Sequence, residues 1–346
     1  MHNRLITLRV TLLTALIAVG SASGGPAKRS AKVQPGTESI EEGKKVLWET
    51  PVDISTRNLI SGEGGRGHAP ASTGYRFEKE DLSGSNPKFT VRDRSGEKWK
   101  IKLGDEARPE TVAARLIWAV GFHTDEDYFL PAVHVSGVPA NLHRGQKFID
   151  PDGTMHNARL KREPSDLKKV GSWKWSDDAF TGSREWNGLR VMMALTNNWD
   201  VKDENNSIYE VRHRNSRTLL YVVSDLGASF GPTHLDLGRK KDKGELDKFE
   251  ETTFVHRVHG NEVDFNVPGA PSPIMIFDVP SYFRHLRLMW IGRNIPREDA
   301  RWMGSILSRL SAAQIRDAFR AGGYSPDEVR AFAGIVQRRI GNLSEL

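Results

Sequence analysis

Three polar residues between positions 197 and 231 have types and spacing that suit phosphoryl transfer. Asp200 stands five residues before Asn205, and Asp225 begins an Asp-Leu-Gly triplet at the end of an apolar run. Asp and Asn offer the hard oxygen ligands that Mg²⁺ prefers, and a carboxylate can orient or deprotonate an attacking hydroxyl. The residues between Asn205 and Asp225 have the pattern of a β-hairpin. We therefore predict that this segment holds a metal-bound nucleotide.

Each of these residues also has a structural interpretation. Asp200 and Asp203 can cap a turn, and Asp225 can belong to an ordinary turn at the end of a strand. Asn205 and Asn206 suit left-handed turn conformations. The chemical interpretation therefore depends on whether other parts of the chain supply further groups that bind phosphate.

A β-hairpin predicted over residues 88–103 carries two lysines on one face. Apolar and polar residues alternate on both sides of an Arg-Ser-Gly-Glu turn at residues 94–97. The alternating apolar positions are Phe89, Val91, Trp99, Ile101 and Leu103. Lys100 and Lys102 share the opposite face, where strand statistics favour exposure of both lysines to solvent.

A helix is predicted to follow this hairpin and to end at Gly121. Pro109 suits its first turn, and Glu110 favours the positive end of the helix dipole. The helical repeat consists of Val112, Leu116 and Val120. Glu110 lies on a neighbouring stripe, so its carboxylate either faces the lysine-bearing strand or only stabilises the helix end.

Taken together, short motifs along this region resemble those of protein kinases. The sequence DVKDEN at 200–205 is similar to the Asp-x-Lys-x-x-Asn catalytic loop of protein kinases, and SDLG at 224–227 is similar to their Asp-Phe-Gly metal-binding turn. The loop SGSNPK at 83–88, before the WKIK strand, resembles the corresponding segment of HipA-like kinases. Those kinases also carry an Asn two residues before the catalytic Asp, as Asn198 stands here. The resemblance covers residues 83–231.

The resemblance implies a role for each matching residue. Lys102 would contact the α- and β-phosphates of ATP, and Glu110 would pair with Lys102. Asp200 would position the acceptor hydroxyl, and Lys202 would neutralise developing charge. Asn205 and Asp225 would bind Mg²⁺. The phosphates would be held by the side chain of Lys88 and by the backbone amides of Ser83, Gly84, Ser85 and Asn86.

Three positions depart from the kinase pattern. Leu226 replaces the usual Phe of the metal-binding turn. Asn206 lies beside Asn205 and competes with it for the metal role. Lys202 stands where HipA-like loops often have His, which favours general protein-kinase chemistry. No clear activation-segment landmark follows Phe230.

Helical patterns precede the Asp200 segment and dominate the C-terminal third of the chain. Ser183 and Glu185 begin a second helix, and residues 297–310 are amphipathic. Two capping boxes mark further helices, and they consist of Ser311 with Gln314 and of Ser325 with Glu328, the second with Pro326 at the first helical position. We therefore predict a two-lobed α+β fold of the protein-kinase type, with a small β-containing lobe at residues 46–160 and a mainly helical lobe at residues 161–346.

The N-terminal residues predict export. Residues 1–23 combine a basic start, a short apolar stretch and small residues before Gly24, as a cleaved secretory signal does. Residues 24–45 are polar and rich in Gly, Pro, Ser and Lys, which predicts a flexible linker. The alternative is that the signal is not cleaved and anchors the protein in a membrane. We expect no membrane attachment other than this one. Either outcome places the remainder outside the cytoplasm, in the periplasm or secreted.

Other functions find less support in the sequence. The absence of cysteine removes disulfides, thiolate zinc sites and cysteine nucleophiles. The formal net charge of +6 comes from scattered basic residues with acids nearby, which argues against nucleic-acid binding. The chain has neither an HExxH nor a Gly-x-Ser-x-Gly motif, and its glycine cluster at 62–67 lacks the Lys-Ser/Thr of a P-loop. A glycosidase with two carboxylates stays an alternative.

These observations predict an exported kinase-like protein. It would transfer phosphate, or a nucleotidyl group, from Mg-ATP to a hydroxyl of a protein or a small molecule. The alternative is an exported binding module that has the same fold and no turnover.

Overall fold

The computed structural model describes residues 43–231, 244–266 and 289–346, apart from the single positions 85, 164, 166, 177, 178, 199 and 215. The predicted signal peptide and all but the last three residues of the predicted linker lie outside these ranges. Among the helices that the structure describes, none is long and apolar enough to span a membrane.

The chain contains thirteen strands and six α-helices within the described residues. The strands are β1 (Lys44–Val46), β2 (Tyr75–Asp81), β3 (Lys88–Arg92), β4 (Lys98–Leu103), β5 (His123–Thr124), β6 (Asp127–Ser136), β7 (Thr154–Glu163), β8 (Lys168–Gly171), β9 (Ser207–His213), β10 (Ser216–Val223), β11 (Val255–His259), β12 (Glu262–Phe265) and β13 (Ile295–Pro296). The helices are α1 (Ala107–Ala119), α2 (Arg184–Leu195), α3 (Leu246–Glu251), α4 (Arg297–Leu307), α5 (Ala312–Ala321) and α6 (Pro326–Ser344).

Five strands close into a barrel in the order β2-β3-β4-β7-β6. The predicted hairpin is confirmed as β3 and β4, with Lys88 opposite Lys102 and Val91 opposite Trp99. The alternating apolar residues of the hairpin point into the barrel because successive side chains of a strand face opposite sides. They are buried in one hydrophobic core together with Tyr75, Tyr128, Val133, Val135, Leu142, Met155, Ala158 and Leu160.

A second sheet has the order β1-β10-β9-β8, with β5 also paired to β10. The hairpin predicted between Asn205 and Asp225 is confirmed as β9 and β10, which pair antiparallel with Ser207 opposite Val222 and His213 opposite Ser216. Strand β1 pairs parallel to β10, with Lys44 opposite Thr218. Residues 44 and 45, placed in the linker by the sequence, are therefore part of this sheet.

The helices build a second and larger core. Helix α2 begins after Ser183, whose side chain accepts a hydrogen bond from the Trp186 amide. Both predicted capping boxes are present, at the starts of α5 and α6. Apolar residues of α1, α2, α4, α5 and α6 pack together in this core, along with Leu47, Ile54 and Leu59. The predicted α+β fold, with a β-rich lobe and a mainly helical lobe, is confirmed.

Helix α1 connects the two lobes. It follows β4 directly, and its buried apolar residues belong to the helical core, whereas its first turn lies against the strands of the barrel. The helix begins at Ala107, two residues before Pro109, and Gly121 follows its end with a φ of +102°. A side chain at Gly121 would place its Cβ 2.1 Å from the carbonyl oxygen of Glu49, so only glycine fits at this turn.

Candidate active site

The Lys102 ammonium lies among three carboxylates. Its Nζ is 2.9 Å from Glu110 Oε2, 3.1 Å from Glu106 Oε2 and 2.5 Å from Asp225 Oδ1. Lys102 is only 3% exposed, so the expectation from strand statistics that it faces solvent was wrong. Helix α1 and the Asp-Leu-Gly turn cover this end of β4, whereas Lys100, two residues earlier, remains partly exposed and pairs with Glu163.

Helix α1 and the residue that caps its N-terminus, Glu106, supply two of these three carboxylates. Glu110 and Glu106 are both buried and lie one helical turn apart, and Glu106 is also four residues after Lys102. The pairing of Glu110 with Lys102 therefore occurs as the resemblance implied. Glu106 was not predicted, although it stands four residues before Glu110, a spacing that places two side chains on one face of a helix.

Burial and ion pairing act in opposite directions on Lys102. Burial disfavours the charged amine, but the attraction of Glu110 and Asp225 is larger and raises the pKa of Lys102 above its ordinary value. The lysine therefore stays a cation although it is almost fully enclosed. A buried cation at the edge of a cleft can neutralise charge on bound phosphates.

A second ion pair continues from Glu110 into the barrel wall. Arg159 on β7 lies opposite Lys102 in the strand register, and its Nη2 donates to Glu110 Oε1 at 3.0 Å. The other arm of Arg159 is 3.4 Å from Asp127 Oδ1. Burial raises the pKa of Asp127 to about 7. Arg159 and Asp127 were not predicted, because nothing local in the sequence marks two strand residues as partners of a helix glutamate.

Asp225 occupies a backbone conformation that orients its side chain toward Lys102. Its φ and ψ are 58° and 53°, in the left-handed region, and the short 3-10 turn Leu226–Ala228 follows. Burial alone would raise the pKa of Asp225, but Lys102 outweighs burial and lowers this pKa to about 2. Leu226, which replaces the usual Phe, is buried in the helical core. The carboxylate of Asp225 is therefore ionised throughout the neutral range.

Gly227 permits the close contact between α1 and the Asp-Leu-Gly turn. A Cβ on Gly227 would lie 2.6 Å from the Cβ of Glu106, closer than two carbons can approach without movement. The contact holds Glu106 and Asp225 on two sides of the same ammonium.

We expect Gly227→Ala to destabilise the fold by about 1–3 kcal/mol, since α1 or the turn must move to admit the methyl group. Urea denaturation followed by tryptophan fluorescence measures this loss. Gly67→Ala is the matched control, because no atom lies within 4 Å of its added Cβ. Equal unfolding midpoints for the two variants would contradict the expectation.

The two loops that carry Asp200 and Asp225 meet at one recess. Asp200, Lys202, Asn205 and Asp225 all line it. Asp200 forms an ion pair with Lys202, with 2.6 Å between Lys202 Nζ and Asp200 Oδ1. Burial, and to a smaller extent the negative charge of Asp225, raises the pKa of Asp200 above its ordinary value.

The Asn198 side chain supports the loop that carries Asp200. It is 1% exposed, its Oδ1 accepts the Asp200 backbone amide at 3.0 Å, and its Nδ2 donates to Ser229 Oγ at 3.2 Å. Ser229 in turn donates to the Leu226 carbonyl. Asn198 therefore ties the start of the Asp200 loop to the turn that follows Asp225.

The neighbouring asparagines have different surroundings. Asn205 is half-buried and donates to the Asp200 carbonyl at 3.3 Å, which keeps its side chain beside the recess. Asn206 is 1% exposed and donates to the Trp173 carbonyl at 3.5 Å. Both asparagines line the recess that Asp200 and Asp225 share.

The loop after β2 reaches the same site through Lys88. Lys88 Nζ donates to Ser83 Oγ at 3.4 Å, and a Cβ on Gly84 would lie 3.3 Å from the same nitrogen. Burial, followed by the nearby charge of Lys102, lowers the pKa of Lys88. Asn86 is half-buried in this loop, and Ser85 lies outside the described residues.

The structure brings the predicted groups into one region. Lys102, Glu110 and Asp225 are in direct contact, and Asp225 shares a recess with Asp200, Lys202 and Asn205. Ser83, Gly84 and Lys88 lie at the neighbouring end of β3. Carboxylate and amide oxygens around the recess are the donor set that Mg²⁺ prefers, and two lysines beside them suit phosphate oxygens.

Comparisons with known proteins give structural similarity without sequence similarity. No protein-family model and no curated protein sequence matches the chain. The Helicobacter pylori proinflammatory kinase CtkA matches 78% of this chain and 95% of its own, at 10% identity and a TM-score of 0.42. The Golgi casein kinase matches 84% of this chain and 75% of its own, at 10% identity and a TM-score of 0.35. Its Mn/ADP-bound structure covers 79% and 73% of the two chains, at 10% identity and a TM-score of 0.28. The function of this chain is therefore inferred from the geometry of its own site.

Proposed function

We propose that this protein is a kinase-like enzyme that transfers a phosphoryl group from Mg-ATP to a hydroxyl of a protein or a small molecule. The observation that carries the proposal is the buried Lys102, which contacts Glu110 and Asp225, while Asp225 shares its recess with Asp200 and Asn205. Five groups from four separate segments of the chain converge there. Transfer of a nucleotidyl group from the same donor would use the same cations.

Lys102 would bind the phosphates of the donor. Its ammonium now bonds to Asp225 at 2.5 Å, so it has to exchange this contact for phosphate oxygens when the donor binds. Glu106 and Glu110 keep the amine in position during this exchange. Lys88 and the backbone amides of residues 84–86 would hold the outer phosphates, whereas the Ser83 amide already donates to Asp81 Oδ1 at 2.9 Å.

Asp200 would act on the acceptor. Its carboxylate would orient the hydroxyl and take its proton as the new O–P bond forms and the bond between the γ-phosphorus and the bridging oxygen breaks. Lys202, 2.6 Å from Asp200, would neutralise charge on the transferring group. Asn205 and Asp225 would hold Mg²⁺, which when bound supplies further neutralisation of phosphate charge.

The more specific likeness to HipA-like kinases and the export of the protein belong to the same proposal. The HipA-like features are the loop at 83–88 and Asn198, whose side chain accepts a hydrogen bond from the Asp200 backbone amide. We propose that residues 1–23 direct export and that the mature chain begins near Gly24. Mass spectrometry of the protein from the extracytoplasmic fraction checks this, and an intact N-terminal methionine there would show that the signal is retained.

Mg-ATP should raise the melting temperature of the mature protein and yield a phosphorylated product. The measurements are differential scanning fluorimetry with and without Mg-ATP, and mass spectrometry for autophosphorylation. Asp225→Ala should abolish the shift, because the variant lacks the carboxylate that would hold the metal. Asp105→Ala, an exposed Asp near the start of α1, is the matched control and should behave as wild type.

Two results separate the proposal from its alternative. A thermal shift that depends on Asp225 but comes without a phosphorylated product would support the non-catalytic binding module. The absence of both effects, with Asp225→Ala unchanged from wild type, would remove the enzyme proposal.

A further inference from the structure

Arg144 holds the loop that we propose to cover the phosphates. Its guanidinium donates to three carbonyls of this loop, those of Gly84 at 2.5 Å, Asp81 at 2.8 Å and Ser83 at 3.5 Å. Arg144 is sixty residues away in sequence, in the connection between β6 and β7. No motif in the sequence marked it.

The three bonds set the direction of the peptide groups. In a trans peptide the carbonyl and the following N–H point in opposite directions, and the described residues contain no cis peptide bond. Because the carbonyls of Asp81 and Ser83 point to Arg144, the N–H groups of Leu82 and Gly84 point away from it. Carbonyl oxygens repel phosphate and N–H groups attract it, so the direction of these peptides decides whether the loop can bind an anion.

The connection that carries Arg144 is itself anchored to the barrel. Glu80 on β2 accepts the backbone amides of His143 and Arg144, both at 3.0 Å, and also contacts the His143 ring at 3.0 Å. On the other side, a Cβ on Gly145 would lie 2.9 Å from Pro87, the residue before β3. The backbone on both sides of Arg144 is therefore held against residues that flank the loop, Glu80 before it and Pro87 at its end.

We propose that Arg144 is a positioning residue for donor binding, which turns the carbonyls of Asp81, Ser83 and Gly84 away from the phosphates and leaves the N–H groups of Leu82 and Gly84 available to them. The Ser83 amide is not among these groups, because it donates to Asp81 Oδ1 at 2.9 Å. The inference rests on the proposed function. Arg144 touches neither donor nor acceptor and acts through the backbone of the loop. Its planar guanidinium can reach several carbonyls at once, which the compact ammonium of lysine cannot do.

The test compares ligands with and without phosphates. For Arg144→Ala we expect the Kd of Mg-ATP, measured by isothermal titration calorimetry, to rise about 10-fold, because the loop is no longer preorganised. The Kd of adenosine should stay unchanged, since adenosine has no phosphate for the loop to hold. Guanidinium ion at a concentration that does not denature the protein should restore part of the ATP affinity of Arg144→Ala, and Arg144→Lys should remain weak. Arg94→Ala, at an exposed arginine in the turn between β3 and β4, is the control.

A second measurement does not need a nucleotide. Hydrogen exchange of the unliganded protein should show faster exchange of the amides at residues 82–86 and 88 in Arg144→Ala than in wild type, with the helical lobe unchanged. Wild-type affinity for Mg-ATP in Arg144→Ala, or equal weakening of ATP and adenosine, would overturn the inference. If wild type itself does not bind Mg-ATP, the proposed function fails, and the exchange data alone then decide whether Arg144 orders the loop.

Discussion

Asp200→Asn is expected to lower the rate of phosphoryl transfer by about 10²–10⁴-fold, the range that a positioned general base contributes, while Mg-ATP binding is retained. The amide has nearly the shape of the carboxylate and keeps the backbone contact with Asn198, but it cannot accept a proton from the acceptor. Single-turnover measurements with radiolabelled ATP give the transfer rate, and calorimetry gives the affinity. The transfer rate of the wild type should fall at acid pH at a value above the ordinary pKa of Asp, because burial raises the pKa of Asp200.

Glu204→Gln is the matched control for Asp200→Asn. Glu204 is exposed in the same loop, and its replacement by Gln removes one negative charge, as Asp200→Asn does. The transfer rate of Asp200→Asn should be lower than that of Glu204→Gln by at least about 10²-fold. Loss of Mg-ATP affinity in Asp200→Asn at an unchanged transfer rate would place Asp200 in donor binding and not in acceptor activation.

Lys102→Met is expected to destabilise the fold by about 3–5 kcal/mol at neutral pH and to change how stability depends on pH. The variant leaves Glu106, Glu110 and Asp225 without their shared cation, although their carboxylate oxygens lie within 4.8 Å of one another. Like charges at this distance raise the pKa of the carboxylates in the folded state. Folding then takes up protons, so the variant loses stability as the pH rises.

The wild type has the opposite dependence at this site. The pKa of Asp225 is lowered to about 2 in the folded protein, from an ordinary value of 3.8. This contribution to stability is present above the unfolded pKa and is lost as the pH falls toward 2. The stability difference between wild type and Lys102→Met should therefore be larger at pH 7 than at pH 4.5.

Denaturant unfolding at the two pH values measures this difference. Lys100→Met is the control, because Lys100 lies on the same face of β4 and pairs with Glu163 at 2.6 Å, but is partly exposed. Exposed ion pairs contribute about 0–1 kcal/mol, so the control should lose little stability at either pH. A loss for Lys102→Met that is equal at pH 4.5 and pH 7 would mean that the three carboxylates do not act as one charged group.

The sequence predicted the elements whose signals are local. The hairpins β3–β4 and β9–β10 follow from alternating apolar residues, since a strand places successive side chains on opposite faces. The capping boxes at Ser311 and Ser325 follow from a donor and an acceptor three residues apart. The α+β class could be predicted because the patterns of strands and helices are local in sequence. The order of the kinase-like motifs follows directly from the chain, because each motif is also local.

The sequence could not predict which polar residues are buried. Lys100 and Lys102 occupy equivalent positions in the strand pattern, yet only Lys102 is enclosed, because α1 and the Asp-Leu-Gly turn cover one end of β4. Arg159 and Arg144 belong to segments whose local sequence carries no sign of the site. Their partners lie 49 and about 60 residues away in the chain.

By itself, the sequence determined which chemical groups are present, in what order, and on which faces of their strands and helices. The tertiary structure alone decided that three carboxylates share the Lys102 ammonium and that Arg144 donates to three carbonyls of the loop at 81–84. The physical reason is that side-chain periodicity is a local property of the backbone. The environment of a charge, in contrast, depends on how distant segments pack around it, and that packing sets both its exposure and its partners.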